Sequence, residues 1–178
     1  MNTKLFQAIM SKSGHFPFLD QMMIFLSKKA RYIYVFILIL LAFRSKRHRE
    51  TVRNAVISTI VGLFLNRILK IFMYKPRPFM KKKIGILIPS KLDSSFPSKH
   101  TVLAFAISTN LIIREHTIGC LLTLLSLLTG FSRIWVGHHY PADILKSAIL
   151  GSGTGLLAEA YFWFLKQKRH AIENNSLS

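Results

Sequence analysis

Five long apolar stretches divide a chain of only 178 residues. Residues 32–43 (YIYVFILILLAF) carry no charge, and residues 55–73 are apolar or small except for Ser58, Thr59, Asn66, Arg67 and Lys70. Residues 118–131 are apolar or small throughout, and residues 144–165 contain only Lys146 and Glu159 as charges. A shorter stretch, 101–113, completes the set. A helix crossing a hydrocarbon core of about 30 Å needs roughly 20 such residues. One stretch would fit the core helix of a soluble protein. Five in so short a chain predict an all-α, polytopic membrane helix bundle forming a single domain over 1–178.

The expected spans are 20–43, 54–73, 100–113, 117–136 and 142–165. The first is too long for a straight crossing and has room to bend at Lys28 and Lys29. Residues 1–18 lack the apolar core and the small-residue cleavage pattern of a secretory signal, and they read as an interfacial helix. The connection 74–99 holds Pro76, Pro78, Pro89 and Pro97, which argues against a helix there. Residues 173–178 read as a disordered tail. Cys120 is the single cysteine, which excludes a disulfide within the chain and a cysteine metal cluster. Gly151-Ser152-Gly153-Thr154-Gly155 follows no strand and lies mid-span, where close helix packing is the expected use.

The net charge is +18, with 25 Lys and Arg against 7 Asp and Glu. These cations lie in short loops between spans and not on one soluble face. Anionic head groups and phosphate-bearing lipids are therefore the expected partners, and nucleic acid is not. Counting spans puts the polar clusters at 70–77, 97–100 and 133–143 on one membrane face, with 44–53, Arg114 and the basic tail on the other. The positive-inside rule is nearly tied between the two faces. If the first face spends its cations on a phosphate, the second is cytoplasmic and the clusters are extracytoplasmic.

Each cluster carries chemistry. In KIFMYKPRP, Lys70 lies about one turn inside the membrane and Arg77 at its mouth, which suits an anion entering head first. Lys81, Lys82 and Lys83 read instead as a solvated or lipid-facing charge run. In FPSKHT, Ser98 opens a helix whose free N–H groups favour an anion, either as a cap or as a hydroxyl donor. His100 is the side chain there suited to moving a proton near neutrality. In GFSRIWVGHHYPAD, Arg133 adds a cation, and Asp143 lies where a carboxylate fixes a histidine tautomer. A structural hydrogen bond is the plainer reading of His139 with Asp143, and His138 reads as a bystander. Taken together, the three clusters describe phosphoryl transfer: clamping of oxygens, attack at phosphorus and protonation of the leaving group. Dedicated carboxylates for metal ions are not apparent, so neither a metal nor another cofactor is expected.

KxxxxxxRP, PSxH and SRxxxxxHxxxD, in this order, resemble the three signature motifs of the type 2 phosphatidic acid phosphatase superfamily. SFPSKHT and LLTGFSRIWVGHHYPAD look most like its bacterial undecaprenyl-diphosphatases of the bacitracin-resistance type. The resemblance implies a metal-independent membrane phosphatase. His139 would be the nucleophile forming a phosphohistidine, Asp143 would orient it, and His100 would be the general acid. Lys70, Arg77, Ser98 and Arg133 would bind the transferred phosphate. Lys99 departs from the family, which commonly has Gly or an acid there; it adds a cation that would favour a diphosphate over a monophosphate.

The implied substrate is a lipid diphosphate within a bacterial plasma membrane, its hydrolysis recycling the carrier lipid of wall synthesis. Phosphatidylglycerophosphate, phosphatidate or another prenyl diphosphate stands as the alternative substrate. A His/Asp metal transporter and a purely structural cationic membrane protein are the non-enzymatic rivals. The transporter leaves Arg77 and Arg133 without a role, and the structural reading leaves the motif spacing unexplained. Oligomeric state stays open, a homodimer included.

Overall fold

A computed structural model describes residues 2–81, 86–90 and 92–175. Among these the chain forms seven helices: α1 (Asn2–Met10), α2 (Pro17–Arg44), α3 (Lys46–Phe72), α4 (Pro78–Lys81), α5 (Lys99–Arg114), α6 (His116–Trp135) and α7 (Pro141–Asn175). The described residues include no strand. Three helices, α3, α6 and α7, are long and apolar enough to cross a membrane by length and composition. Helix α2 runs unbroken through the apolar stretch at 32–43, with Lys28, Lys29 and Arg31 just before it.

Helix α5 is the hub. Its 16 residues, about 24 Å of helix, pack against α3, α6 and α7 and touch α2. Lipid supplies no hydrophobic force between helices, so close packing and polar contacts must join them. The residues follow that logic. Phe36, Phe64, Leu124 and Trp163 point outward, while small and polar side chains share the interior with Leu38, Leu111 and Leu122. Asn110 donates to Ser58 across α5–α3 at 2.7 Å, and Ser126 meets Ser108 at 3.2 Å and Tyr34 at 2.9 Å. Gly151 lets α7 approach α5 so closely that an added Cβ would stand 2.5 Å from the Val102 carbonyl oxygen. The glycine cluster in α7 thus serves helix packing, as expected.

The end of the bundle remote from the sequence motifs closes on an ion network. Glu159, the acid inside the last apolar stretch, accepts from Arg114 at 2.6 Å and from Asn54 at 3.0 Å. At the other end, α1 lies across the start of α7. Its Phe6 stacks on Tyr140 at 5.3 Å, and Asn2 caps the free N–H of Ala142 at 3.0 Å.

Two expectations need correction. The proline-bearing connection is not wholly non-helical, because Pro78 starts the single turn α4; a proline with its fixed φ fits the first helical position. The tail is not disordered from 173, because α7 continues to Asn175, carried by the helix-forming run from 165 on. Lys82 and Lys83 of the expected charge run, and residues 176–178, lie outside the described residues.

Candidate active site

Arg77, His100 and Arg133 are 56 residues apart at the extremes, yet they line one cavity of about 400 Å³. Three local devices bring them there. Pro76 and Pro78 end the helical path after α3 and turn Arg77 inward, where it is buried. Ser98 stands at the residue before α5, without a side-chain cap, and Lys99 and His100 follow in the first turn. Gly137, at φ +83°, adopts the left-handed turn that ends α6 and reverses the chain into His138 and His139.

His139 is 2% exposed and sits behind Arg77. Its Nδ1 lies 2.5 Å from the carbonyl oxygen of Ser95. A carbonyl only accepts, so Nδ1 carries the proton and Nε2 keeps its lone pair. That lone pair faces Arg77 Nη1 at 3.5 Å. Burial first, then the charges of Arg133 and Arg77, hold the His139 pKa well below its ordinary 6.5, against the opposing pull of the Ser95 carbonyl. The ring is therefore neutral and in the tautomer a nucleophile requires.

Asp143 does not bond His139 directly, contrary to the expected pairing. One carboxylate oxygen is paired with Lys75. The other accepts from the Ser95 hydroxyl at 2.6 Å and from the Tyr140 amide at 3.3 Å. Asp143 thus fixes Ser95, and the Ser95 carbonyl fixes the imidazole. Ser95 bridges the two, its hydroxyl on Asp143 in the first turn of α7 and its carbonyl on the ring.

His138, expected as a bystander, has both ring nitrogens engaged. It is buried, and its Nε2 lies 2.8 Å from the Ile88 carbonyl oxygen, which makes Nε2 the donor. Its Nδ1 must then accept, and Arg133 Nη2 donates to it at 2.7 Å. Burial and the charge of Arg133 lower its pKa to about 4, so it remains neutral and keeps that acceptor. The other terminal nitrogen of Arg133 bonds the Ser27 hydroxyl of α2. Sequence spacing hid this because His138 matters through α6 and the loop at 88, not through its neighbour.

Lys70 and Arg77 both bind Asp93, a residue no motif marks. Lys70 Nζ is 2.8 Å from one carboxylate oxygen; Arg77 Nε and Nη2 are 2.8 and 2.6 Å from the other. Burial pushes the Asp93 carboxyl up, but the hydrogen bonds and charges of Lys70 and Arg77 outweigh it and hold the pKa below the ordinary value. Lys99 also lines the cavity. Ser98 does not: its hydroxyl is fully buried and accepts from Thr101 at 3.1 Å, while its amide donates to Ser147 at 2.8 Å. Ser98 thus seats the start of α5 on α7. Among the described residues, no group of three or more His, Cys, Asp or Glu side chains is arranged to hold a metal ion.

The PAP2 superfamily model matches residues 51–167. The chain is 42% identical over 158 residues to the undecaprenyl-diphosphatase BcrC of Bacillus subtilis (strain 168), covering 88% of this chain and 82% of that protein. It superposes on the crystal structure of Aquifex aeolicus LpxE with a TM-score of 0.79 at 30% identity, covering 90% of this chain and 95% of the other. A transmembrane PAP2 type phosphatidylglycerolphosphate phosphatase from Bacillus subtilis shares the fold, with a TM-score of 0.67 at 20% identity and coverage of 89% and 85%.

Proposed function

The chain belongs to the PAP2 superfamily, and from that premise we propose that it is an undecaprenyl-diphosphate phosphatase. It hydrolyses the lipid diphosphate to undecaprenyl phosphate and inorganic phosphate. The observation that carries the chemistry is the Nδ1–H···O=C bond from His139 to Ser95, which leaves the Nε2 lone pair toward the cavity cations. The 42% identity to an undecaprenyl-diphosphatase over most of both chains favours this lipid over other members' substrates.

In the proposed cycle Lys70, Arg77 and Arg133 clamp the oxygens of the terminal phosphate. Their charge stabilises what develops on those oxygens in the transition state. His139 Nε2 attacks phosphorus and forms the phosphohistidine. The departing lipid phosphate leaves on the side of His100, which protonates it once the substrate's negative charge is in the cavity and favours the imidazolium. Water then attacks the phosphohistidine with His100 as base. Asp143 and Ser95 act through His139 by holding its tautomer, and Ser98 by fixing the α5 N-terminus. The site faces the extracytoplasmic side of a bacterial plasma membrane. Recycling the carrier there lowers the target available to bacitracin, in keeping with the name of the Bacillus relative.

The test is phosphate release by purified protein in detergent, with EDTA present, from undecaprenyl or farnesyl diphosphate, phosphatidate and phosphatidylglycerophosphate. Release favouring the prenyl diphosphate is expected. No release from any of them refutes the enzyme, and abolition by EDTA refutes the histidine mechanism. A cysteine at the exposed position 92 should label from outside intact cells, and those at 45–50 should not; the reverse refutes the orientation.

A further inference from the structure

The cations named so far occupy only part of the cavity wall. The rest is α2. Lys28, Lys29, Arg31 and Tyr32 line the same 400 Å³ space as Arg77, His100 and Arg133. Residues 28, 31 and 32 share one helix face. Their height is fixed by their neighbour Ser27, which bonds Arg133 in the last turn of α6. They therefore stand level with the phosphate clamp. Lys29 and Arg31 gather over the Tyr32 ring, at 5.6 and 4.8 Å, and Arg31 also donates to the Tyr32 hydroxyl at 2.9 Å. A snorkelling lysine leads away from its helix to bulk water alone; these side chains, though exposed, border the same cavity as the clamp.

We propose that Lys28 and Arg31 of α2, with Lys99 of α5, form a second phosphate subsite that holds the lipid-bound phosphate of a diphosphate while the Arg77–Arg133 clamp holds the terminal one. His100 lines the same cavity, and the proposal puts it at the bridging oxygen. This rests on the phosphatase reading and deepens it by naming the residues that choose a diphosphate.

Bond changes give the subsite its purpose. As the His139 Nε2–phosphorus bond forms, the bond from phosphorus to the bridging oxygen breaks, and its electron pair stays on that oxygen. In a monoester the oxygen leaves as a basic alkoxide and must take a proton from His100. In a diphosphate it leaves as part of a phosphate monoester, whose second pKa is about 6. That leaving group needs compensation of negative charge more than a proton. Cations beyond the bridging oxygen supply it, and a monophosphate cannot use them.

Farnesyl diphosphate and farnesyl monophosphate share one tail and separate the two cases. Lys28→Gln and Arg31→Gln change exposed side chains, so both variants should remain monodisperse. Each should lose roughly 10- to 100-fold in kcat/KM on the diphosphate and change little on the monophosphate, with partial recovery in Arg31→Lys. Equal loss on both substrates, or loss on neither, overturns the subsite. Binding of inorganic diphosphate and orthophosphate to detergent-solubilised protein, read by calorimetry, tests the subsite without turnover. The wild type should prefer diphosphate, and Arg31→Gln should abolish the preference; a preference unchanged in the variant overturns the proposal. If the wild type instead hydrolyses phosphatidate and no prenyl diphosphate, the substrate reading fails while the binding comparison still decides the subsite.

Discussion

Replacing His138 by alanine should cost far more than its place beside the proposed nucleophile suggests. Arg133 is a buried guanidinium, and its Nε already lacks a hydrogen-bond partner. Its terminal nitrogens reach only Ser27 and the His138 Nδ1. Removing that imidazole deletes one of two side-chain acceptors holding a cation in place. A hydrogen bond to a charged group contributes about 1.5–3 kcal/mol. If the loss falls on the transition state, the rate drops about 10- to 150-fold.

Asparagine at 138 discriminates the mechanism from simple loss of packing. Its Oδ1 can occupy the position of Nδ1 and accept from Arg133, while the bond to the Ile88 carbonyl is given up. The assay is phosphate release in detergent, run on fractions that elute as wild type from a sizing column. His138→Ala should lose kcat/KM by the factor above, and His138→Asn should stay within a few-fold of wild type. Wild-type turnover in His138→Ala would refute the reasoning. So would equal damage in both variants, which would assign His138 to packing and not to Arg133.

His139→Ala should abolish turnover, and brief acid-free quenching of wild type with labelled substrate should trap label on a histidine that the variant lacks. His138 has a pKa lowered from 6.5 to about 4, so the unfolded chain binds its proton first as pH falls; stability should be full above pH 6.5 and decline toward pH 4, by about 2 kcal/mol at pH 5, read as a drop in thermal midpoint that is smaller in His138→Asn. Asp93→Asn should tighten competitive inhibition by inorganic phosphate, because Lys70 and Arg77 lose a rival anion; unchanged inhibition would remove Asp93 from the site's charge balance. Gly151→Leu should prevent assembly of the bundle, seen as loss of monodisperse protein, because α7 could no longer lie against the Val102 carbonyl.

What could be read from sequence was what period and motif encode. The apolar stretches located α3, α5, α6 and α7, because each must satisfy its backbone internally and cover lipid. That Arg77, His100 and Arg133 would meet at one cavity was legible because prolines, a helix start and a chain reversal placed them on one face. Asp143 was legible as part of the site but not in its contacts: its partners Ser95 and Lys75 come from a loop whose path no pattern dictates. Asp93 was hidden for the same reason. His138 and the α2 cations were hidden otherwise. Their contacts depend on how α2 and the loop at 88 sit against the end of α6, which spacing along the chain does not encode.

The Lys70–Asp93–Arg77 arrangement bears on how such a site exists empty. Arg77 and Arg133 line one cavity and Lys70 meets Arg77 at Asp93, and like charges so close would repel one another without compensation. Asp93 offsets two of them with three short contacts. Neutral His138 supplies the third with an acceptor instead of a charge. The same geometry covers the proposed nucleophile, since the guanidinium pinned by Asp93 is the group facing His139 Nε2. A phosphate entering the cavity offers Arg77 and Lys70 a stronger anion than the carboxylate. As it draws Arg77 onto its oxygens, it brings phosphorus to the lone pair that Arg77 had covered. Binding of the correct charge and exposure of the nucleophile would then be one movement, and a neutral lipid head group, having nothing to exchange for Asp93, would leave His139 buried.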